Sequence, residues 1–402
     1  MTEIHRGLDG VVVGETRLSH VDGEAGVLLI GGHPLEELAP NARFEETLFL
    51  LWNDRLPDAG ELEQLHEELA SRRALPRVTR DCLREAAAAG LDAMDALRIG
   101  LASLGVAHPE LHRIELNRED TAATQRRALR LVAAMPTLAA AYQRLREGEE
   151  PVAPDPALGH AANYLFMLAG RVPERSAVRA LETYLNTAVD HGMNASTFAA
   201  RVIASTRSDL ASAVMGALGA LKGPLHGGAP GPALDMVFAC RAEAARTGRA
   251  LSEVTEAWVR RTVAEGGRVM GFGHRVYKVR DPRADVLGAA VERLFPNPGT
   301  NPLYDDARAV EAVVLRMLAE LKPGRRLQTN VEFYTALLLH SLGLPAAVFT
   351  PTFAVARVGG WTAHVLEQVA EDRLIRPLVA YVGARDRRWR GAARESRPPA
   401  LI

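Results

Sequence analysis

The stretch Met270–Arg283, M-G-F-G-H-R-V-Y-K-V-R-D-P-R, brings a histidine, a lysine and three arginines together within ten residues, behind two glycines. Glycine lets a backbone turn tightly and approach a ligand closely, and the cationic side chains that follow suit an anion. Asp281 before Pro282 is a helix start, with the aspartate as N-cap and the proline in the first helical position. Arg283 then projects from the first turn. His274 sits on the loop before it, where an imidazole can be held against a substrate.

Three further segments carry candidate chemistry. In D-H-G-M-N-A-S-T-F-A-A-R, His191 precedes a helix that Asn194 can cap. In L-K-G-P-L-H-G-G-A-P-G-P, His226 occupies a Gly- and Pro-rich turn between two helices. In Q-T-N-V-E-F-Y-T-A-L-L-L-H-S-L-G, Asn330 can cap a helix whose first turn holds Glu332. The helix dipole stabilises a carboxylate there, so Glu332 is expected to be ionised at neutral pH. An ionised carboxylate beside imidazoles makes a general acid–base set. His191, His226 and His274 lie at loop-to-helix junctions, where distant parts of a chain converge, whereas His66, His340 and His364 fall within long helices and read as core or surface residues. Residue type alone leaves open a metal site of His191, His226, His274 and Glu332, but no pair has the i, i+4 spacing that places two ligands on one helix face. Templates for P-loops, zinc proteases, nucleophile elbows and dinucleotide folds are absent.

The elements that must position these residues are helices. From Phe44 onward apolar residues recur at three and four, predicting helices over 44–52, 61–70, 79–89, 91–104, 122–147, 176–189, 196–205, 210–221, 232–247, 252–265, 285–294, 304–321, 331–342 and 351–370. Pro136 is expected to kink or split the fifth. The first forty residues, including V-V-V-G-E-T-R-L-S-H-V-D-G and G-V-L-L-I-G-G, read as short strands and turns. Stretches 148–158 and 296–301 read as surface loops, and the Arg-rich 385–402 as an extended tail. No fixed-period repeat points to a solenoid.

Composition bounds the remaining classes. A chain of 402 residues that is 48% hydrophobic supports a large core. With 48 basic and 49 acidic residues and a formal net charge of -1, it encodes no global attraction to nucleic acid or to an anionic membrane. The N-terminus lacks a signal-peptide pattern and no apolar run approaches a membrane span, so a soluble cytoplasmic protein is expected. Cys82 and Cys240 are far apart and suggest neither a disulfide framework nor a thiolate metal site.

The motifs G-L-D-G-V-V-V-G-E-T, D-H-G-M-N-A-S-T-F-A-A-R, G-P-L-H-G-G-A, M-G-F-G-H-R-V-Y-K-V-R-D-P-R, N-V-E-F-Y and F-A-V-A-R-V-G-G-W-T-A-H-V-L-E-Q resemble the citrate synthase family, in the same order over nearly the whole chain. The resemblance implies an all-α, multi-helical homodimer. Residues 1–227 and 344–402 would form its large domain and 228–343 its small one, with the active site in the cleft between them. It also implies a Claisen-type condensation of acetyl-CoA with oxaloacetate, with acyl-CoA as substrate and no metal or redox cofactor. By motif position His191, His274, Arg283 and Arg357 would contact oxaloacetate, with Asn194 a further contact and Arg376, in L-I-R-P, reaching across the dimer interface. Guanidinium forks suit a dicarboxylate. His274 would polarise the ketone, His226 would hydrogen-bond the thioester oxygen while an enol forms, and Glu332 would remove the methyl proton. Lys278 and Arg325 fall where the family places cations for CoA phosphates.

Two departures accompany the resemblance. Glu332 stands where the family pattern N-V-D-F-Y has aspartate, after Gln328 and Thr329 in place of tyrosine and proline. Glutamate has a similar intrinsic pKa, but its carboxylate is one methylene farther out, and a displacement of about 1 Å can cost on the order of a hundredfold in rate. Either the altered turn draws the helix back, or the enzyme is slow, or the base serves another acyl-CoA. The same-chemistry alternative is a 2-methylcitrate synthase acting on propionyl-CoA, since one methylene discriminates by only about 1–3 kcal/mol. The alternative of another class is a low-activity or non-catalytic paralogue that binds CoA or a dicarboxylate. In the second departure Gly31, Gly32 and His33 replace the usual R-G-Y.

Overall fold

The computed structural model describes residues 4–8, 10–113, 121–227, 230–297 and 299–387. Three short strands come first, β1 (Ser19–Asp22), β2 (Val27–Ile30) and β3 (His33–Pro34). Among the described residues sixteen α-helices follow: α1 (Leu35–Leu38), α2 (Phe44–Asn53), α3 (Ala59–Ala70), α4 (Arg77–Ala88), α5 (Ala93–Ala107), α6 (Thr121–Arg146), α7 (His160–Ala169), α8 (Arg175–Ala188), α9 (Ala195–Ser205), α10 (Leu210–Leu221), α11 (Pro230–Thr247), α12 (Leu251–Ala264), α13 (Pro282–Leu294), α14 (Pro302–Leu321), α15 (Val331–Ser341) and α16 (Phe349–Glu371). The expected all-α class is what the chain adopts. None of these helices is long and apolar enough to cross a membrane.

Local sequence sets many of the helix starts. Asp58, Asp92, Asn194, Asp209, Asp281, Asn301 and Asn330 each accept a hydrogen bond from a first-turn amide, satisfying a donor that the helix itself leaves unpaired. The strands form an antiparallel sheet in the order β1-β2-β3, with Ser19 opposite Ile30 and Ile30 opposite His33. Gly31 and Gly32, with φ of 53° and 81°, are the two-residue turn between β2 and β3, which needs positive φ at both positions. This is the structural meaning of the G-G-H departure.

The core is built around two helices that are apolar on nearly every side, the second half of α6 and most of α16. Pro136 lies inside α6 without splitting it. Burial of Leu131–Tyr142 around it offsets the hydrogen bond that proline cannot donate. Two other expectations need correction. Val11–Val13 are not in a strand, and α7 was not foreseen, because H-A-A-N-Y-L-F-M-L-A is almost continuously apolar and carries no helical period.

The chain divides into two compact units. Residues 15–374 form one and hold every strand and α-helix of the described residues. The other comprises the terminal segments, described over 4–8, 10–14 and 375–387. It contains a 3-10 turn at Arg6–Leu8 and exposes Leu378, Val379 and Val382. The tail beyond residue 387 lies outside the described residues, as do Gly228 and Ala229 of the His226 motif.

Candidate active site

Close packing of α16 on the end of α8 starts the site. Gly360 makes this approach possible, because a Cβ there would run into the carbonyl oxygen of Val189. Arg357, 1% exposed on α16, donates from Nε to the carbonyl of Ala188 at 2.6 Å and lies 4.8 Å over the Phe353 ring. Burial lowers its pKa to about 10, which leaves it cationic at neutral pH. The adjoining Asp190 is fully buried between Ser19 Oγ at 2.5 Å and His364 Nε2 at 3.1 Å, and Ser19 Oγ also accepts the amide of Gly192 at 2.8 Å. The turn bearing His191 is thereby pinned to β1 and to α16.

A second set of bonds ties the His274 loop to the start of α15. Gly273 N donates to Gln328 O at 2.7 Å, Asn330 N to Gly271 O at 3.0 Å, and Asn330 Nδ2 to Gly273 O at 2.8 Å. Gly271 and Gly273 have φ of 87° and 86°, conformations that β-carbon sterics disfavour in other residues. His274 Nδ1 accepts the amides of Val276 and Tyr277, both at 3.1 Å, so in the neutral ring the proton sits on Nε2. Arg283 Nη2 lies 3.3 Å from that Nε2. An imidazole and a guanidinium thus stand side by side.

Arg283, 4% exposed, is held by Asp281 through Nε at 3.0 Å and Nη2 at 2.8 Å. Asp281 is the expected N-cap of α13, and it also accepts the amide of Val331 at 3.2 Å. Tyr184, Ala188, Arg283, Val331, Glu332, Thr335 and Phe353 line one cavity. Glu332 is in the first turn of α15 behind Asn330 as foreseen, but its ionisation differs from the expectation. Loss of hydration pushes its pKa up to about 7, outweighing the attraction of Arg283 and Arg357, with Asp281 adding to the rise. The helix dipole, worth only about 0.3–1 kcal/mol at a typical terminus, is too weak to reverse this.

The three histidines are neutral at pH 7. His191 is held well below the ordinary value by burial and by Arg283, with Nε2 3.2 Å from the Tyr277 hydroxyl and its ring 5.7 Å from that of His274. Burial and Arg283 bring His274 down to about 4, and burial and Arg357 bring His226 to about 4. His226 Nε2 lies 2.8 Å from Ser196 Oγ, which accepts Trp361 Nε1 at 3.0 Å. The Ser196 hydroxyl donates to Asn194 Oδ1 at 2.7 Å, which leaves Ser196 Oγ an acceptor for His226 Nε2.

His191, His274, Arg283, Glu332 and Arg357 thus gather around the cavity and its rim. Asn194 lies beside them, but its amide is committed to Gly192 O, Thr197 Oγ1, Thr197 N and Ser196 Oγ. Lys278 and Arg325 are exposed, the former donating to Arg275 O at 3.0 Å. Arg376 is exposed and belongs to the terminal unit. Sequence reasoning missed Ser196, Tyr277 and Trp361, although Tyr277 lies three residues after His274 and Ser196 two after Asn194. Among the described residues, no group of three His, Cys, Asp or Glu side chains is arranged to hold a metal. Fold and site define an all-α protein in which histidines, two buried arginines and a carboxylate meet at one cavity.

Comparison with known proteins makes the class specific. The family model described as citrate synthase, C-terminal domain, matches residues 7–378. A citrate synthase of Haloferax volcanii is 42% identical over 390 residues, 96% of this chain and 97% of that one. A 2-methylcitrate synthase of Mycobacterium tuberculosis is 38% identical over 388 residues, 96% and 92% of the two chains. The citrate synthase of Thermoplasma acidophilum, solved as a ternary complex with carboxymethyl coenzyme A and oxaloacetate, superposes with a TM-score of 0.85 at 29% identity, covering 98% of this chain and all of that one. The chain belongs to the citrate synthase family and is an acyltransferase of that condensing type.

Proposed function

We propose that this enzyme condenses acetyl-CoA with oxaloacetate and hydrolyses the resulting thioester, giving citrate and free CoA. The observation that carries the reading is Glu332, a carboxylate with a pKa of about 7 in a cavity that also holds Arg283. A base whose pKa lies near the working pH combines a useful ionised fraction with driving force for proton removal. In this reading Glu332 takes a proton from the acetyl methyl. His226, with its Nε2 against Ser196 Oγ, is assigned to the thioester oxygen as the enol forms. His274 donates from Nε2 to the ketone oxygen, which becomes an alkoxide as the carbon–carbon bond closes. Donors aimed at developing charge in a dry site are among the strongest catalytic devices.

Arg283, Arg357 and His191 are assigned to the two carboxylates of oxaloacetate, and Asn194 to holding Ser196. Arg376 would come from the second subunit of a homodimer. Residues 1–227 and 344–402 would close against 228–343, and Lys278 and Arg325 would receive the CoA phosphates. The steps call on no metal or redox cofactor, and the cytoplasm supplies both substrates.

The 38% identical relative named 2-methylcitrate synthase favours a second reading, with propionyl-CoA as acyl donor. No relative reported above supports a non-catalytic role. CoA release by the purified protein with oxaloacetate, comparing acetyl-CoA and propionyl-CoA at equal concentration, tests both readings. Faster turnover of acetyl-CoA supports the first and faster turnover of propionyl-CoA the second. Tight oxaloacetate binding with no release from either would overturn the proposal.

A further inference from the structure

Glu311 on α14 gathers three donors from three segments around the site. Its Oε1 accepts Thr329 Oγ1 at 2.5 Å and Arg280 Nη1 at 2.6 Å, and its Oε2 accepts the Tyr334 hydroxyl at 2.6 Å. Glu311, Thr329 and Tyr334 are 6%, 1% and 3% exposed, so this is an interior junction rather than a surface ion pair. Arg280 also lies 5.5 Å over the Tyr334 ring and reaches Asp285 at 2.5 Å. The three donors have meaningful places in the chain. Thr329 immediately precedes Asn330, the cap of α15; Tyr334 follows Glu332 by two residues; Arg280 immediately precedes Asp281 on the segment that joins His274 to Arg283.

We propose that Glu311 is a positioning residue for the proposed reaction: through Thr329 and Tyr334 it sets how far Glu332 reaches into the site, and through Arg280 it holds that reach relative to His274. The proposal rests on Glu332 being the base. The two hydroxyls bracket Glu332 in sequence and pull on one carboxylate, so the start of α15 is anchored on both sides of the reacting group. Hydrogen bonds to an ionised carboxylate are short and directional, and these three leave the junction little freedom to slide. Because about 1 Å of misplacement can cost on the order of a hundredfold in rate, a small relaxation here reads out in turnover without loss of any group that would touch substrate.

The test uses the full chain with Thr329→Val, which keeps shape and removes the hydroxyl, and Thr329→Ser, which restores it. Steady-state CoA release and oxaloacetate affinity are measured for both. Expected are a fall in kcat of roughly ten- to a hundredfold for Thr329→Val, oxaloacetate Kd within about twofold of the parent, and recovery of kcat in Thr329→Ser to within about threefold. Unchanged kcat in Thr329→Val overturns the proposal, as does equal loss in both variants or a loss matched by weakened oxaloacetate binding. Should Thr329→Val fail to fold, Tyr334→Phe removes the other hydroxyl from the same carboxylate and is judged by the same kcat and Kd criteria. The parent protein separates the two levels: no turnover by the parent removes the reading of Glu332 and this proposal with it, whereas an active parent with an unaffected variant removes this proposal alone.

Discussion

Asp281 grips Arg283 with both carboxylate oxygens, at 3.0 Å to Nε and 2.8 Å to Nη2, and the pair is buried. The same carboxylate accepts the amides of Arg283 at 3.1 Å and Val331 at 3.2 Å. One side chain therefore caps α13, orients a guanidinium toward His274 and ties the helix of Glu332 to both.

Replacing Asp281 by asparagine keeps the shape and one acceptor but leaves Arg283 without its counter-charge. Removing one partner of a buried ion pair costs about 3–5 kcal/mol. Urea unfolding of Asp281→Asn should show a lower midpoint by that order, and CoA release should fall at least about tenfold as Arg283 and Val331 lose their common anchor. A variant with parental midpoint and rate would mean that the pair neither stabilises nor orients.

Glu332→Gln should reduce kcat by about 10²–10⁴-fold, the range for loss of a general base, with oxaloacetate binding retained. Glu332→Asp should also be slow, by on the order of a hundredfold. The start of α15 is stitched to residues 271–273 and cannot advance to make up a missing methylene. A rate at or above the parent's in Glu332→Asp would show that the glutamate is a poor fit.

The pH dependence follows from the same group. With Glu332 at about 7, kcat/KM for the acyl-CoA should fall tenfold per pH unit on the acid side of that value, while His226 and His274, at about 4, add no limb above pH 5. Stability carries the opposite sign. The folded-state pKa of Glu332 is raised, so its contribution is fully present below the unfolded carboxylate value and is lost as pH rises through about 7. Chemical unfolding from pH 5 to 8 should show this decline in the parent and a shallower one in Glu332→Gln.

Gly273→Ala places a Cβ at φ 86° and 2.9 Å from Leu327 Cδ2. A strained backbone costs of order 1–3 kcal/mol, and the strain falls on the residue before His274. Both stability and turnover should drop. In Gly248→Ala, where φ is 68° and nothing lies within 4 Å of the new atom, stability alone should fall. Equal turnover in the two variants would remove the link between the glycine loop and His274.

Much of this architecture is legible in the chain itself. Caps at Asn194, Asp281 and Asn330, the glycine pair before His274 and the three-four apolar period depend on contacts within a few residues, which local sequence specifies. The roles of Arg357 and His226 came only through resemblance, since a mid-helix arginine carries no signal of its own and a histidine in a glycine- and proline-rich turn marks a junction without specifying its task. Helix α7 escaped because its residues are almost continuously apolar and leave no polar face to mark its period. The ionisation of Glu332 was misjudged for a related reason. Its helix start is local, but its hydration is set by Tyr184, Ala188 and Phe353, which come from distant parts of the chain. The sequence by itself determined most of the helices, many of their caps and the types of group available for chemistry. Only the tertiary structure decided which of them meet, which tautomer His274 holds and where Glu332 titrates, because desolvation and charge proximity arise from residues that adjoin in space and not along the chain.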